Sequence, residues 1–269
     1  MKRILSTLII IFLLIPLTAQ KENDEVLIVY YGRSCFEISF AGKRIVIDPF
    51  DPDFFDYSSQ QNKYSLPKEK IDYAFASHIA RDHNYFEGIN ADQAYLASGD
   101  KNEFILHNKG KAAKVSGKTT IKFEGKSFIF WTVPSYHDDQ KGAIDGVNGI
   151  TCLDFNGLKV VHLGDLGHIL EQKQIDAIGK VDVLMIPVDE RYTIDAETAK
   201  RIVEQLNPRR AIPMHYKTDN LKRELPFSDE NNFIKKFKNV KRHDKSFISM
   251  NKKDLKDDLQ IIVLKYHKE

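Results

Sequence analysis

The feature that most restricts the fold of this chain is a series of short β-rich runs within residues 26–163. The runs are Val26–Tyr31, Ser34–Phe40, Arg44–Ile47, Tyr73–Ser77, Thr120–Phe123, Ser127–Val133, Ile150–Phe155 and Lys159–Leu163. Their length and their content of β-branched and aromatic residues are typical of strands. Small-residue turns such as Ala41-Gly42-Lys43 and Asn156-Gly157 join neighbouring runs, which predicts hairpins and antiparallel pairing.

After residue 168 the pattern changes to helices that alternate with strands. Helices are predicted over Ile169–Ile178, after the capping residue Asp195, and over Ser228–Lys238. Val183–Val188 is a continuous apolar run of the kind that is buried on both faces of a sheet, and Leu259–Tyr266 predicts a closing strand. Strands with helices outside them indicate a layered α/β architecture. We expect one domain over residues 21–269.

The first 20 residues have the composition of a secretory signal peptide. Lys2 and Arg3 precede an apolar run over Leu8–Leu17, and Thr18-Ala19-Gln20 follows it. This predicts a signal peptide over residues 1–20 and a periplasmic or secreted protein, with no stable membrane insertion after cleavage. A retained anchor is the alternative, although the run is shorter than the roughly 20 residues that span a bilayer.

The mature chain is predicted to carry no net charge. The sequence has 40 basic and 38 acidic residues, and residues 1–20 contain two of the basic residues and none of the acidic ones. Binding to a phosphate backbone needs a basic face, so nucleic acid is not the expected partner. We expect a small-molecule substrate instead.

Two segments of the chain share one arrangement. Cys35 and Cys152 each lie in a strand-like run that leads through a turn to an aspartate 13 residues later, Asp48 and Asp165 respectively. This similarity hints at a duplicated half-domain. The two cysteines either pair, as export permits, or remain buried thiols.

Histidine and aspartate side chains stand where four of the apolar runs end. The densest group, His78-Ile79-Ala80-Arg81-Asp82-His83, follows Tyr73–Ser77, and His137, Asp165 and His215 each follow another run. Imidazole and carboxylate are ligands that zinc prefers. Each motif alone is also consistent with ordinary polar residues on the surface, but their repeated placement at strand ends predicts a metal site.

This ordered series resembles the metallo-β-lactamase superfamily, and within it the branch of L-ascorbate-6-phosphate-lactonase-like metal-dependent hydrolases. The motifs are Gly32-Arg33-Ser34-Cys35-Phe36, Ile47-Asp48-Pro49, Ser77–His83, Ser135-Tyr136-His137-Asp138, His162–His168 and Pro213-Met214-His215-Tyr216, within about residues 26–218. The resemblance implies an α/β fold, a four-layer αββα sandwich of two mixed sheets with helices outside. It also implies a site for one or two metal ions at one edge of the sheets.

The resemblance assigns a role to each of these side chains. It implies a first metal site with His78 and His137, a second with Asp82, His83 and His215, and Asp165 as a ligand shared by both. Asp48 is similar to an aspartate that orients the metal loop from behind. Zinc is the metal expected first, with manganese and iron as alternatives.

Two positions depart from the family pattern. Ala80 stands where the pattern His-x-His-x-Asp-His has its second histidine, and a methyl group cannot coordinate a metal. The second site is therefore predicted to be the tighter one, and a single bound ion is the alternative to two. His168 is the better candidate for a substitute ligand, and His162 is expected to be buried behind the site. Arg33 replaces a histidine, and it either binds a phosphate or carboxylate of the substrate or is an exposed arginine.

The function expected from these residues is metal-dependent hydrolysis. A bound metal lowers the pKa of its water toward about 7, and the hydroxide attacks a small ester, lactone or phosphate-containing substrate. Asp82 is the candidate group that orients the nucleophile or accepts its proton, and Arg33 is the candidate contact for an anionic substrate. The alternative is a catalytically weakened ligand-binding protein of the same fold, because Ala80 removes a ligand.

Overall fold

The computed structural model describes residues 24–59, 63–108 and 111–268, so the predicted signal peptide lies outside the described residues. The described chain forms two eight-stranded sheets. The first contains β1 (Val26–Gly32), β2 (Cys35–Phe40), β3 (Lys43–Ile47), β4 (Ile71–Ala76), β5 (Ala91–Ala97), β6 (Glu103–Asn108), β7 (Lys111–Ser116) and β15 (Phe247–Met250). The second contains β8 (Thr119–Phe123), β9 (Lys126–Tyr136), β10 (Val147–Phe155), β11 (Leu158–His162), β12 (Val183–Pro187), β13 (Arg210–Met214), β14 (Val240–Arg242) and β16 (Gln260–Val263).

The two sheets contain the same five-strand arrangement. In the first sheet β1, β2 and β3 pair antiparallel, and β3, β4 and β5 pair parallel. In the second sheet β9, β10 and β11 pair antiparallel, and β11, β12 and β13 pair parallel. Cys35 and Cys152 begin or lie within equivalent strands, and Asp48 and Asp165 follow equivalent strands, which agrees with the repeat seen in the sequence.

The α-helices pack on the second sheet. Helix α1 (Gln172–Ile178) contacts β9 and helix α2 (Ala196–Leu206) contacts β12, with Asp195 capping α2 through the Thr198 amide as predicted. The helix expected over Ser228–Lys238 is only the single turn α3 (Asn231–Ile234), because two asparagines, poor helix formers, stand at its start. Among the described residues no helix has the length and apolar character needed to cross a membrane.

The core lies between the two sheets. Aromatic rings meet there across the sheets, as in Phe75 with Phe130 at 5.1 Å and Phe40 with Phe155 at 5.3 Å between ring centroids. Both cysteines are free, buried thiols, and burial raises the pKa of the Cys35 thiol well above its ordinary value. The predicted α/β sandwich of two mixed sheets is therefore confirmed. Over the first sheet, the described crossovers after β3 and β4 contain the 3-10 turns Pro52–Phe54 and Phe86–Gly88 in place of α-helices.

Candidate metal centre

The carboxyl ends of four strands bring the predicted ligands together. The loop after β4 supplies three of them, and the ends of β9, β11 and β13 supply one each. The ligand atoms form two groups whose members all lie within 4.8 Å of one another. The first cluster is His78, His137 and Asp165; the second cluster is Asp82, His83, Asp165 and His215. All six candidate ligands thus converge, with Asp165 in both clusters.

Asp165 is the centre of the arrangement. Its Oδ2 lies 2.9 Å from Nε2 of His83, 3.2 Å from Nε2 of His137 and 3.2 Å from Nε2 of His215. The amide of Asp165 donates to Oδ1 of Asn148 at 3.0 Å, which fixes the backbone of this loop. One carboxylate oxygen therefore faces three imidazole nitrogens from both clusters.

The second cluster has the spacing of a metal site. Oδ2 of Asp82 lies 3.6 Å from Nε2 of His83 and 3.8 Å from Nε2 of His215. Ligand atoms placed about 2.0–2.2 Å from a tetrahedral zinc ion are separated by roughly 3.3–3.6 Å, so the Asp82–His83 distance fits and the Asp82–His215 distance is slightly longer. Nε2 of His83 is buried and makes no hydrogen bond of good geometry, although Asp165 is close. An imidazole nitrogen held in this way is suited to a cation.

The first cluster is smaller than the second, with three members. His78 is 8% exposed, and its ring centroid lies 5.2 Å from that of His137. Burial, and then the charge of His83, lower the pKa of His78 to about 4, so that this ring is neutral at pH 7 and its lone pair is available. Three protein ligands leave a coordination position open, which is the arrangement of catalytic sites.

Asp48 holds the metal loop from behind. Its Oδ1 accepts the amide of Ser77 at 2.7 Å, and its Oδ2 accepts the Ser77 hydroxyl at 2.8 Å and lies 2.8 Å from Nδ1 of His83. Nδ1 of His78 lies 3.0 Å from Oγ of Ser77. Burial acts to raise the pKa of Asp48, but His83 and His162 lower it below its ordinary value. One buried carboxylate therefore orients His83 directly and His78 through a serine.

The sequence analysis missed Asp189, which orients His215. Its Oδ2 lies 3.0 Å from Nδ1 of His215, while Oδ1 accepts the amides of Arg191, Tyr192 and Thr193. Asp189 is fully buried. It stands directly after the apolar run Val183–Val188, so the strand-end rule that found the other ligands could have found it.

Arg33 is buried within the site, so the interpretation as an exposed arginine is wrong. It is 4% exposed, and its guanidinium lies 4.8 Å from the ring centroid of Phe227 and 5.5 Å from that of Phe55. Nη2 lies 2.6 Å from Nε2 of His215 and 3.7 Å from Oδ2 of Asp82. The positive charge thus sits against the second cluster.

Neither of the other two histidines replaces the ligand that is missing at Ala80. His168 uses both nitrogens on the backbone: Nε2 accepts the Tyr136 amide at 3.2 Å and Nδ1 lies 2.8 Å from the carbonyl of Ile169. The expectation that His168 is the better substitute is therefore wrong. His162 is fully buried and its Nε2 lies 2.8 Å from the Ser34 carbonyl, a supporting position as predicted.

Comparison with known proteins adds an independent finding. The family model of the β-lactamase superfamily domain matches residues 27–215 of this chain. A metal-dependent hydrolase of Staphylothermus marinus is 29% identical over 199 residues, which cover 71% of this chain and 84% of that protein. One of Thermodesulfovibrio yellowstonii is 28% identical over 238 residues, 81% of this chain and 86% of that protein.

A solved structure is similar over most of the chain. A Thermotoga maritima protein described as a zinc-dependent hydrolase of the metallo-β-lactamase superfamily has a TM-score of 0.63 and 27% identity. The similarity covers 89% of this chain and all of that one. Residues 27–215, which the family model matches, contain both clusters.

Proposed function

This chain belongs to the metallo-β-lactamase superfamily, and from that premise we propose that it is a metal-dependent hydrolase of a small ester, lactone or phosphate-containing substrate. The relatives named above are metal-dependent hydrolases. The observation that carries the proposal is that the five other predicted ligands converge around the carboxylate of Asp165. We also propose that the chain belongs to the L-ascorbate-6-phosphate-lactonase-like branch of the superfamily.

The site residues suit this chemistry. His78, His137 and Asp165, and on the other side Asp82, His83 and His215, are the groups that would hold zinc, manganese or iron. A bound metal supplies Lewis-acid chemistry and lowers the pKa of coordinated water. Side chains near the metal ligands would position the substrate and the attacking water.

Two side chains are assigned roles toward the substrate. The side chain of Asp82 is 16% exposed. Burial acts to raise the pKa of Asp82, but His83, His215 and Arg33 hold that pKa below its ordinary value. The carboxylate is therefore ionised at neutral pH. We assign it the role of orienting the nucleophile or accepting its proton. Arg33 contributes a permanent positive charge at the pocket, which favours an anionic substrate.

The test is an assay of the purified chain from residue 21 with a panel of lactones, aryl esters and phosphodiesters. We expect hydrolysis of at least one class to be lost with a chelator and restored by zinc, manganese or iron. The variant Asp165→Asn, which keeps the side-chain shape, should be inactive under the same conditions. Activity that persists after complete metal removal would contradict the proposal.

Ala80 favours a second candidate, a catalytically weakened protein that binds a ligand. Its carbonyl accepts the amides of His83 and Asn84, so residue 80 lies in the turn that presents the ligands. The variant Ala80→His separates the two candidates. A gain of at least tenfold in hydrolysis with a second bound metal would favour the weakened protein, and an unchanged rate would favour the hydrolase as it stands.

We also propose export to the periplasm or the exterior, based on the predicted signal peptide. N-terminal sequencing of the protein made in a Gram-negative host tests this proposal. A new N-terminus near residue 21 in the periplasmic fraction supports it, and an intact Met1 in the cytoplasm contradicts it.

A further inference from the structure

The side chain of Arg33 is fixed in place by contacts on several sides. The backbone of Arg33 has a φ of 50°. The Arg33 carbonyl accepts hydrogen bonds from the amide of His215 at 2.8 Å and from the hydroxyl of Tyr30 at 3.1 Å. The guanidinium lies over the rings of Phe55 and Phe227, and Nη1 donates to the carbonyl of His215 at 3.2 Å. A planar group held in this way cannot move aside without breaking these contacts.

The guanidinium uses the lone pair that a metal in the second cluster would need. The carboxylate of Asp189 is an acceptor, so Nδ1 of His215 carries the hydrogen and Nε2 carries the lone pair. Nη2 of Arg33 lies 2.6 Å from that Nε2 and donates to it. A neutral imidazole has one lone pair there, and it cannot serve a guanidinium and a metal ion together.

Charge acts in the same direction. Arg33 is permanently cationic, and Nη2 also lies 3.7 Å from Oδ2 of Asp82, a carboxylate of the second cluster. A divalent ion among the same atoms would stand a few ångströms from a fixed positive charge in a buried region where screening is weak. The carboxylate of Asp82 thus already faces a cation that belongs to the protein.

The first cluster is free of this competition. Among the described residues, His137 pairs with Asp165 at 3.2 Å, and no lysine or arginine pairs with His137 or His78. Nδ1 of His78 lies against the Ser77 hydroxyl, which directs its other nitrogen toward the cluster. Two imidazoles and one carboxylate with an open side are a sufficient catalytic ligand set.

We propose that Arg33 is a built-in cation that takes the place of the second metal, so that the protein binds one metal ion, held by His78, His137 and Asp165. This inference rests on the proposed function and deepens it. It reverses the ranking drawn from ligand counting, which made the second site the tighter one. The guanidinium then supplies the positive charge that a second ion would supply to an anionic substrate.

The experiment titrates the metal-free mature chain with zinc chloride and measures bound zinc per chain by elemental analysis after dialysis. We expect one equivalent for the wild type, and two for Arg33→Met, which keeps apolar packing between the two phenylalanines while removing charge and donors. Arg33→Lys is the matched control and should still bind one. Two equivalents in the wild type would overturn the inference and leave the proposed function standing, whereas none would overturn both.

A second set of variants locates the ion without depending on the folding of Arg33→Met. His137→Ala should lose the bound zinc, while Asp82→Asn should keep one equivalent with its affinity changed less than threefold. Circular dichroism of each variant controls for folding. Loss of zinc in Asp82→Asn together with retention in His137→Ala would place the ion in the second cluster and refute the inference.

Discussion

Nδ1 of His78 lies 3.0 Å from Oγ of Ser77, and this serine hydroxyl in turn donates to Asp48. The serine therefore accepts from Nδ1 of His78 and leaves the other ring nitrogen to face the first cluster. Hydrogen bonds of this kind fix the tautomer and the ring orientation of a ligand, and their loss typically costs about 10–100-fold in metal affinity.

The first prediction follows from this contact. Ser77→Ala should weaken zinc binding by about 10–100-fold because His78 loses its orienting partner. Zinc affinity is measured by competition with a chromogenic chelator. Ser39→Ala removes a serine hydroxyl from β2 of the same sheet and is the control, which should bind zinc as the wild type does. Equal affinity in both variants would show that the serine has no part in the site.

The second prediction concerns the loop that follows His137. Both oxygens of Asp138 accept backbone amides, those of Gln140 and Gly142 on one side and of Ile144 and Asp145 on the other, at 2.7–3.0 Å. Asp138→Ala leaves four amides without their acceptor and should lower the free energy of unfolding by about 1–3 kcal/mol.

Thermal unfolding and limited proteolysis measure this effect. New cleavage within residues 139–146 is expected in Asp138→Ala, and an intermediate effect in Asp138→Asn, which keeps one acceptor oxygen. A variant as resistant to proteolysis as the wild type would show that the carboxylate does not hold the loop.

The third prediction concerns stability away from the site. Oδ1 of Asp195 accepts the Thr198 amide at 2.7 Å and caps α2. Asp195→Ala should lower the free energy of unfolding by about 1 kcal/mol, while Asp195→Asn, an equally good capping residue, should lower it little at pH 7. Chemical denaturation measures both. An equal loss in the two variants would argue against the cap.

The pH dependence of this cap has a definite sign. The Thr198 amide lowers the pKa of Asp195 below its ordinary value near 3.8. A depressed folded-state pKa means that the ionised cap contributes its full stability above the unfolded-state pKa. That contribution is lost as the pH falls through the folded-state pKa, so the difference between the wild type and Asp195→Ala should shrink below about pH 4.

The sequence predicted which polar side chains lie close together better than it predicted the sheets. Histidines and aspartates at strand ends can be recognised in the sequence, because each of them follows the end of an apolar run. Strands such as β5 (Ala91–Ala97) and β7 (Lys111–Ser116) were not predicted, since alanine, lysine and aspartate dominate them and strand propensity is weak there. Hydrogen bonding to neighbouring strands, which forms only in the folded protein, makes these segments strands despite their weak strand propensity.

The position of Arg33 could not be obtained from the sequence. Phe55, Phe227 and His215, which hold its guanidinium, lie 22 to 194 positions away along the chain and meet it only once the two sheets have packed. From the sequence, Arg33 was interpreted either as a contact for the substrate or as an exposed arginine. Its burial is a property of the assembled edge of the sandwich.

The last prediction tests the close approach of two loops at the first cluster. The amide of Gly167 donates to the carbonyl of Tyr136 at 2.9 Å, and a Cβ at residue 167 would lie 2.2 Å from the carbonyl oxygen of His137. Backbone cannot yield as a flexible side chain does, so Gly167→Ala must displace His137 from its place beside Asp165. We expect a loss of about 1–3 kcal/mol in the free energy of unfolding together with at least a tenfold loss of zinc affinity.

Gly157→Ala is the matched control for Gly167→Ala. Gly157 has φ at 91° in the turn between β10 and β11, and a Cβ there would meet nothing within 4 Å. Its substitution should therefore cost stability through backbone strain, about 1 kcal/mol, without changing zinc affinity. Calorimetric titration with zinc and thermal unfolding, applied to both variants, separate the two effects. Because each substitution adds one methyl group to a glycine, equal zinc affinities in the two variants would mean that contact between residue 167 and His137 does not position the ligand.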